Sequence, residues 1–200
     1  MDTIIKNLEI VPLEKSKFVK PFSILYTQDG KNKRWDCVEA HDSVSCIMYH
    51  KEFDAFLLVK PFRPSLWYYQ TRHSINSDEP GVTYELCAGI MDKGLSPEQT
   101  ILEEMLEETG YEVGKVKKIT SSYTALGFGA NRQTLFCTFI DESMKKTAGG
   151  GVDDERIEIE FIKREDIAKF IYDESKVKAP NLQFAVLWFL GHFEELKEIF

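Results

Sequence analysis

Gly89 to Tyr111 reads G-I-M-D-K-G-L-S-P-E-Q-T-I-L-E-E-M-L-E-E-T-G-Y, with four glutamates in six residues at 103, 104, 107 and 108. Ser96 suits a helix cap and Pro97 the first turn behind it. Gly110, just past the last glutamate, suits the helix end. On such a helix Glu104, Glu107 and Glu108 stand at i, i+3 and i+4, on one face. Like charges at that spacing destabilise a helix, and no lysine or arginine occurs between Lys93 and Lys115 to relieve them. A hard divalent cation with oxygen ligands would, and Mg²⁺ or Mn²⁺ fits best. An acidic helix face can also be merely solvated. Here the small-residue turn E-L-C-A-G at 85–89 and the glycines at both ends set the segment apart.

The rest of the chain bounds the answer. Two hundred residues fit one domain and a proper core. The formal net charge of −8 argues against nonspecific binding to nucleic acid or to a membrane surface, both of which select basic proteins. No stretch approaches a transmembrane span, and the first residues lack a signal-peptide core. Cysteines 37, 46, 87 and 137 have no metal-site spacing and sit in apolar, strand-like settings. Buried free thiols in a reducing cytoplasm are expected.

Residues 3–28 hold two alternating runs, I-I-K-N-L-E-I-V and F-S-I-L-Y, and W-D-C-V-E-A completes a hairpin after the turn D-G-K-N-K-R. A second hairpin runs from S-V-S-C-I-M-Y-H through K-E-F-D to A-F-L-L-V-K-P-F. Residues 71–81 read as loop, V-T-Y-E-L-C-A as the strand feeding the acidic helix, and V-K-K-I-T-S-S-Y-T and Q-T-L-F-C-T-F-I as strands around A-L-G-F-G-A-N-R. A loop at 141–154 contains G-G-G, then E-R-I-E-I-E-F-I alternates as a strand, and helices near 164–173 and 180–198 close the chain. The class is α/β: a mixed sheet between helices.

The 89–111 segment resembles the signature box of the Nudix hydrolases. That pattern is Gly, five residues, Glu, seven residues, Arg-Glu, an apolar residue, any residue, Glu-Glu, any residue, Gly and an apolar residue. Glu104, Met105, Glu107, Glu108, Gly110 and Tyr111 match it from Gly89, while Leu95 stands where the family has Glu and Glu103 where it has Arg. The stretches H-D-S-V-S-C-I-M-Y, L-L-V-K-P-F-R-P, E-L-C-A-G and N-R-Q-T-L-F are similar to the UDP-sugar pyrophosphatase branch. The resemblance implies an α/β/α sandwich over 39–200 and a strand-rich arm over 1–38 exchanged in a homodimer. It also implies Mg²⁺-dependent hydrolysis of the pyrophosphate bond of a nucleotide sugar such as UDP-glucose. An ADP-ribose pyrophosphatase and a non-catalytic nucleotide-binding module on the same fold are the alternatives, the latter supported only by Leu95 and Glu103.

Roles follow from the resemblance. Glu104 and Glu108 are the first metal ligands, Glu107 the third, directly or through water, and the backbone carbonyl of Ala88 a fourth. The general base is expected from a late loop just before a strand, at Glu155 in D-D-E-R-I-E-I, with Asp153 as alternate. Arg63 and Arg132 are the expected phosphate contacts, since a guanidinium can bind an oxyanion with two hydrogen bonds. Lys60 is weaker support.

Overall fold

The computed structural model describes residues 5–152 and 156–200. Its centre is a six-stranded mixed sheet. The strands that build it are β3 (Ser43–His50), β4 (Ala55–Pro61), β5 (Cys87–Ile90), β6 (Lys117–Thr124), β7 (Asn131–Ile140) and β8 (Ile157–Lys163). The order is β6-β7-β3-β4-β8, with β5 beside β3. β3 and β7 run parallel and the other pairs antiparallel. β1 (Lys20–Gln28) and β2 (Lys31–Glu39) form a separate two-stranded sheet.

Strand alternation sends apolar residues to both faces, and helices cover each. On one face Ile47, Phe56, Leu58 and Leu135 pack beneath α3 (Arg164–Phe170), α4 (Pro180–Gly191) and α5 (Phe193–Lys197). On the other, Val44, Cys46, Leu57 and Phe136 pack with Ile101 of α2 (Pro97–Glu104) and with Met105. The sheet therefore sits between helical layers, as the sequence pattern requires. The four cysteines are free thiols, three of them buried. Burial pushes Cys137 up to about 12 and Cys46 and Cys87 well above their ordinary value, so these three stay protonated and serve as packing.

Three expectations need correction. The run before β1 forms no strand over residues 5–19, because a strand needs a hydrogen-bonding partner and none of the described residues pairs with it. A helix, α1 (Pro64–Arg72), opened by Pro64 without a side-chain cap, runs through Arg72, so the loop expected from residue 71 begins later. Its Trp-Tyr-Tyr centre is weak helix sequence, so tertiary packing decides it. The strand expected to feed the acidic helix is short. Before Cys87 only bridges such as Val59 to Glu85 and Phe62 to Val82 tie that segment to the end of β4.

One topological detail makes room for a site. The first half of β3 pairs with β5 and its second half with β4, so two strands share one edge of β3. A cleft of about 660 Å³ lies beside this branch, lined by residues from β3, β5, β7, α2 and the adjoining ends of β4 and β8.

Candidate active site

The acidic helix begins as its sequence dictates. The Ser96 hydroxyl accepts from the Gln99 N–H, and the Gln99 side chain accepts from the Ser96 N–H, at 3.2 and 3.0 Å, closing a capping box. It ends as expected at Gly110, in the left-handed region with φ 76°. Between them the regular helix stops at Glu104, and Met105–Thr109 form a single π-helical turn. Such wider turns recur at functional sites. The carbonyls of Glu107 and Glu108 here accept from the N–H groups of Gly151 and Gly150, at 3.1 and 2.8 Å.

The four glutamates divide. Glu104 and Glu108 line the cleft. The Glu108 carboxylate accepts the Ala88 N–H at 3.1 Å. The Glu104 carboxylate lies against Gly89, so closely that a Cβ there would stand 2.1 Å from its Oε1. Two carboxylates thus meet the backbone of consecutive residues of β5. Glu103 and Glu107 turn to Lys93, at 3.1 and 3.6 Å. The charge relief sought within the helix comes from a lysine in the loop before it, which also lets Glu103 stand where the family pattern has arginine.

Other charged groups frame the cleft. Arg63, just past β4, forks onto Glu85, its Nε and Nη2 donating at 2.8 and 2.7 Å. Thr83 Oγ1 adds a 2.6 Å bond to the same carboxylate. Burial alone would raise Glu85, but Arg63 and Thr83 reverse this and hold it below the usual carboxylate range. Arg156 also lines the cleft, a residue the sequence reading passed over beside the acidic pair it singled out. Glu155 and Asp153 lie outside the described residues.

Two expected phosphate contacts are not brought to the cleft wall. Lys60 is buried, its Nζ 2.7 Å from Glu79 and over the Tyr84 ring. Burial would lower its pKa, yet Glu79 and Tyr84 raise it overall, so the lysine is a charged structural partner. Its neighbour Pro61 lines the cleft instead. Arg132 is exposed and uses its backbone, donating N–H to Asp42 Oδ1 at 2.8 Å. Its neighbour Gln133 lines the cleft.

Among the described residues no three His, Cys, Asp or Glu side chains converge to hold a metal ion. The donors present are nevertheless hard oxygens, those of Glu104 and Glu108, with Ala88 beside them. That set fits Mg²⁺, which is commonly held by one or two carboxylates together with substrate phosphates.

The family model described as NUDIX domain matches residues 39–182. This chain belongs to the Nudix family. Among curated proteins, the Nudix chain is similar to the mouse uridine diphosphate glucose pyrophosphatase, 31% identical over 88% of this chain and 90% of the mouse protein. The bovine protein of the same name is 29% identical over the same shares. A GDP-mannose pyrophosphatase of Citrobacter koseri is 35% identical over 66% of this chain and 69% of its own. This Nudix chain is thus a hydrolase by family and carries the family's acidic helix on the floor of a cleft. No helix among its described residues is long and apolar enough to cross a membrane.

Proposed function

We propose that this protein hydrolyses the pyrophosphate bond of a UDP-sugar such as UDP-glucose, giving UMP and a sugar 1-phosphate, with Mg²⁺ as cofactor and Mn²⁺ as a substitute. The observation that carries the reading is the meeting of Glu104 and Glu108 with the Ala88–Gly89 backbone, in a cleft that also holds Arg63 and Arg156. Relatives named for UDP-glucose match over 88% of this chain, against 66% for the GDP-mannose relative, and this favours uracil over guanine.

The chain's own residues divide the work. Glu104 and Glu108 would hold the metal, with the Ala88 carbonyl as a further ligand and Glu107 acting through water. When bound, Mg²⁺ neutralises the anionic pyrophosphate and acidifies the attacking water. Arg63 and Arg156, both lining the cleft, supply the positive charge that would orient a phosphate, since a guanidinium can bind an oxyanion with two hydrogen bonds. Glu155, with Asp153 as alternate, is assigned the water's proton.

The assembly proposed is a homodimer. β1 is exposed along its whole length and β2 nearly so, with Phe22, Ile24, Leu25 and Trp35 uncovered. An isolated two-stranded hairpin is marginal in water, and a second copy of the chain would bury these faces.

The test is product analysis with UDP-glucose, GDP-mannose and ADP-ribose in the presence of Mg²⁺. UMP and glucose 1-phosphate are expected from the first, at the highest kcat/KM. Glu108→Gln should lower turnover on the order of 10³-fold, the loss of one metal-ligating charge. Preference for ADP-ribose would move the assignment to that substrate. Binding without turnover would make the chain a nucleotide-binding module.

A further inference from the structure

The cleft is chemically two-sided. Towards the end of β4 it offers Pro61, Phe62 and Arg63, an apolar and cationic wall. Across the cleft it offers Ser43 and Gln133, register partners on the parallel strands β3 and β7, both neutral and polar. A hydrogen-bond chain orders this second wall from behind. The Leu182 N–H, in the first turn of α4, donates to Asn181 Oδ1 at 2.9 Å. That fixes the Asn181 amide, whose Nδ2 donates to Gln133 Oε1 at 3.1 Å. The Gln133 amide is fixed in turn, and its Nε2 donates to the Ser43 hydroxyl at 3.4 Å.

Every donor in the chain points the same way. Asn181 occupies one lone pair of the Gln133 carbonyl, and Ser43 takes one N–H. Gln133 keeps one N–H and one lone pair, and Ser43 keeps its hydroxyl proton. These groups are directional, uncharged and held in place. They suit a ligand that is itself neutral and rich in hydroxyls. A nucleobase, flat and apolar on its faces, suits the Phe62 wall instead.

We infer that Gln133 is a specificity-determining residue that reads the hydroxyls of the substrate's sugar, and that Asn181 is its positioning residue. The inference rests on the nucleotide-sugar reading and names which wall of that site holds the sugar. A site built to bond a hydroxyl penalises an analogue that misplaces it, because its own polar groups are then left unpaired.

The experiment compares wild type, Gln133→Leu and Asn181→Asp on UDP-glucose, UDP-galactose and UDP-xylose with Mg²⁺, and measures inhibition by UMP. In Gln133→Leu the spread of kcat/KM over the three sugars should narrow by about 3- to 10-fold, the loss of a neutral hydrogen bond. UMP, which lacks the sugar, should inhibit wild type and variant equally. Asn181→Asp keeps the acceptor for Leu182 but loses the donor to Gln133. It should change KM for the sugars more than kcat, with UMP inhibition again unmoved. Weakened UMP inhibition in Gln133→Leu would place the nucleotide on this wall and overturn the inference. An equal loss on all three sugars would overturn it as well, while leaving the pyrophosphatase reading intact. If wild type hydrolyses none of the three, that reading fails and takes the inference with it.

Discussion

The carboxylate of Glu104 fills the space in which a side chain on Gly89 would sit, with Oε1 2.1 Å from the site of a Cβ. The obstructing atoms are the far end of a flexible side chain, so an alanine can be accommodated by turning the carboxylate away. Gly89→Ala should therefore leave the melting temperature nearly unchanged. It should lower kcat/KM on the order of 10²-fold, the scale of a misplaced reacting group. Thermal melting beside steady-state kinetics checks this. A large fall in melting temperature with unaltered kinetics would show that Gly89 serves packing alone.

How far this site was legible follows from the physics of each residue. The start and end of the acidic helix are local: Ser96 caps it, Pro97 opens it and Gly110 closes it, and each can be read from a few neighbours. The sandwich is legible because strand runs and helical runs alternate along the chain. The relief of Glu103 and Glu107 by Lys93 crosses a loop and is invisible to helical spacing. The π turn is also hidden, since it forms with the glycine loop some forty residues on. Lys60 and Arg132 were each one residue from a cleft-lining position, Pro61 and Gln133. In a strand, one residue is the difference between two faces.

Gly149 faces a harder obstacle than Gly89. It sits at φ 71°, and a Cβ there would lie 2.6 Å from the Glu108 carbonyl oxygen, a backbone atom. Neither the loop nor the π turn can yield without breaking the bonds from Gly150 and Gly151 to Glu108 and Glu107. Gly149→Ala should cost about 2–3 kcal/mol, combining left-handed strain with the overlap. For a chain of this size that is a fall of roughly 5–10 °C in melting temperature. An unchanged melting curve would show that the loop moves off the helix end at little cost.

Ser45 offers the opposite case. Its hydroxyl is fully buried and, among the described residues, is the buried side-chain polar atom left without a hydrogen-bond partner. An orphaned hydroxyl costs roughly 1–3 kcal/mol of desolvation with nothing gained in return. Ser45→Ala removes that cost for the loss of one oxygen, so the melting temperature should rise by about 2 °C or more. A fall in the melting temperature would mean that the hydroxyl is bonded in solution.

The β1–β2 hairpin meets the main domain through few bonds, among them Val38 N–H to the Phe128 carbonyl and Trp35 Nε1 to the Gly127 carbonyl, at 2.7 and 2.8 Å. Light scattering at micromolar concentration should give the mass of two chains. Leu25→Lys, at a position 76% exposed in the single chain, should shift the distribution towards one. A wild-type monomer with full activity would reject the dimer.

The Arg63–Glu85 fork should be visible in acid. Glu85 titrates below its ordinary value of 4.5 in the folded protein, although burial pulls it the other way. A carboxylate depressed on folding adds stability that is present above its unfolded pKa and is lost as pH falls through the folded one. Glu85→Gln cannot titrate and cannot accept the charged fork. The melting temperature of the variant should lie below wild type at pH 7, and the gap should close as pH falls below 4.5. Melting curves from pH 7 down to pH 3 measure this directly. A gap that stays constant over that range would mean that the ion pair contributes nothing through its charge, and that Glu85 holds Arg63 by shape alone.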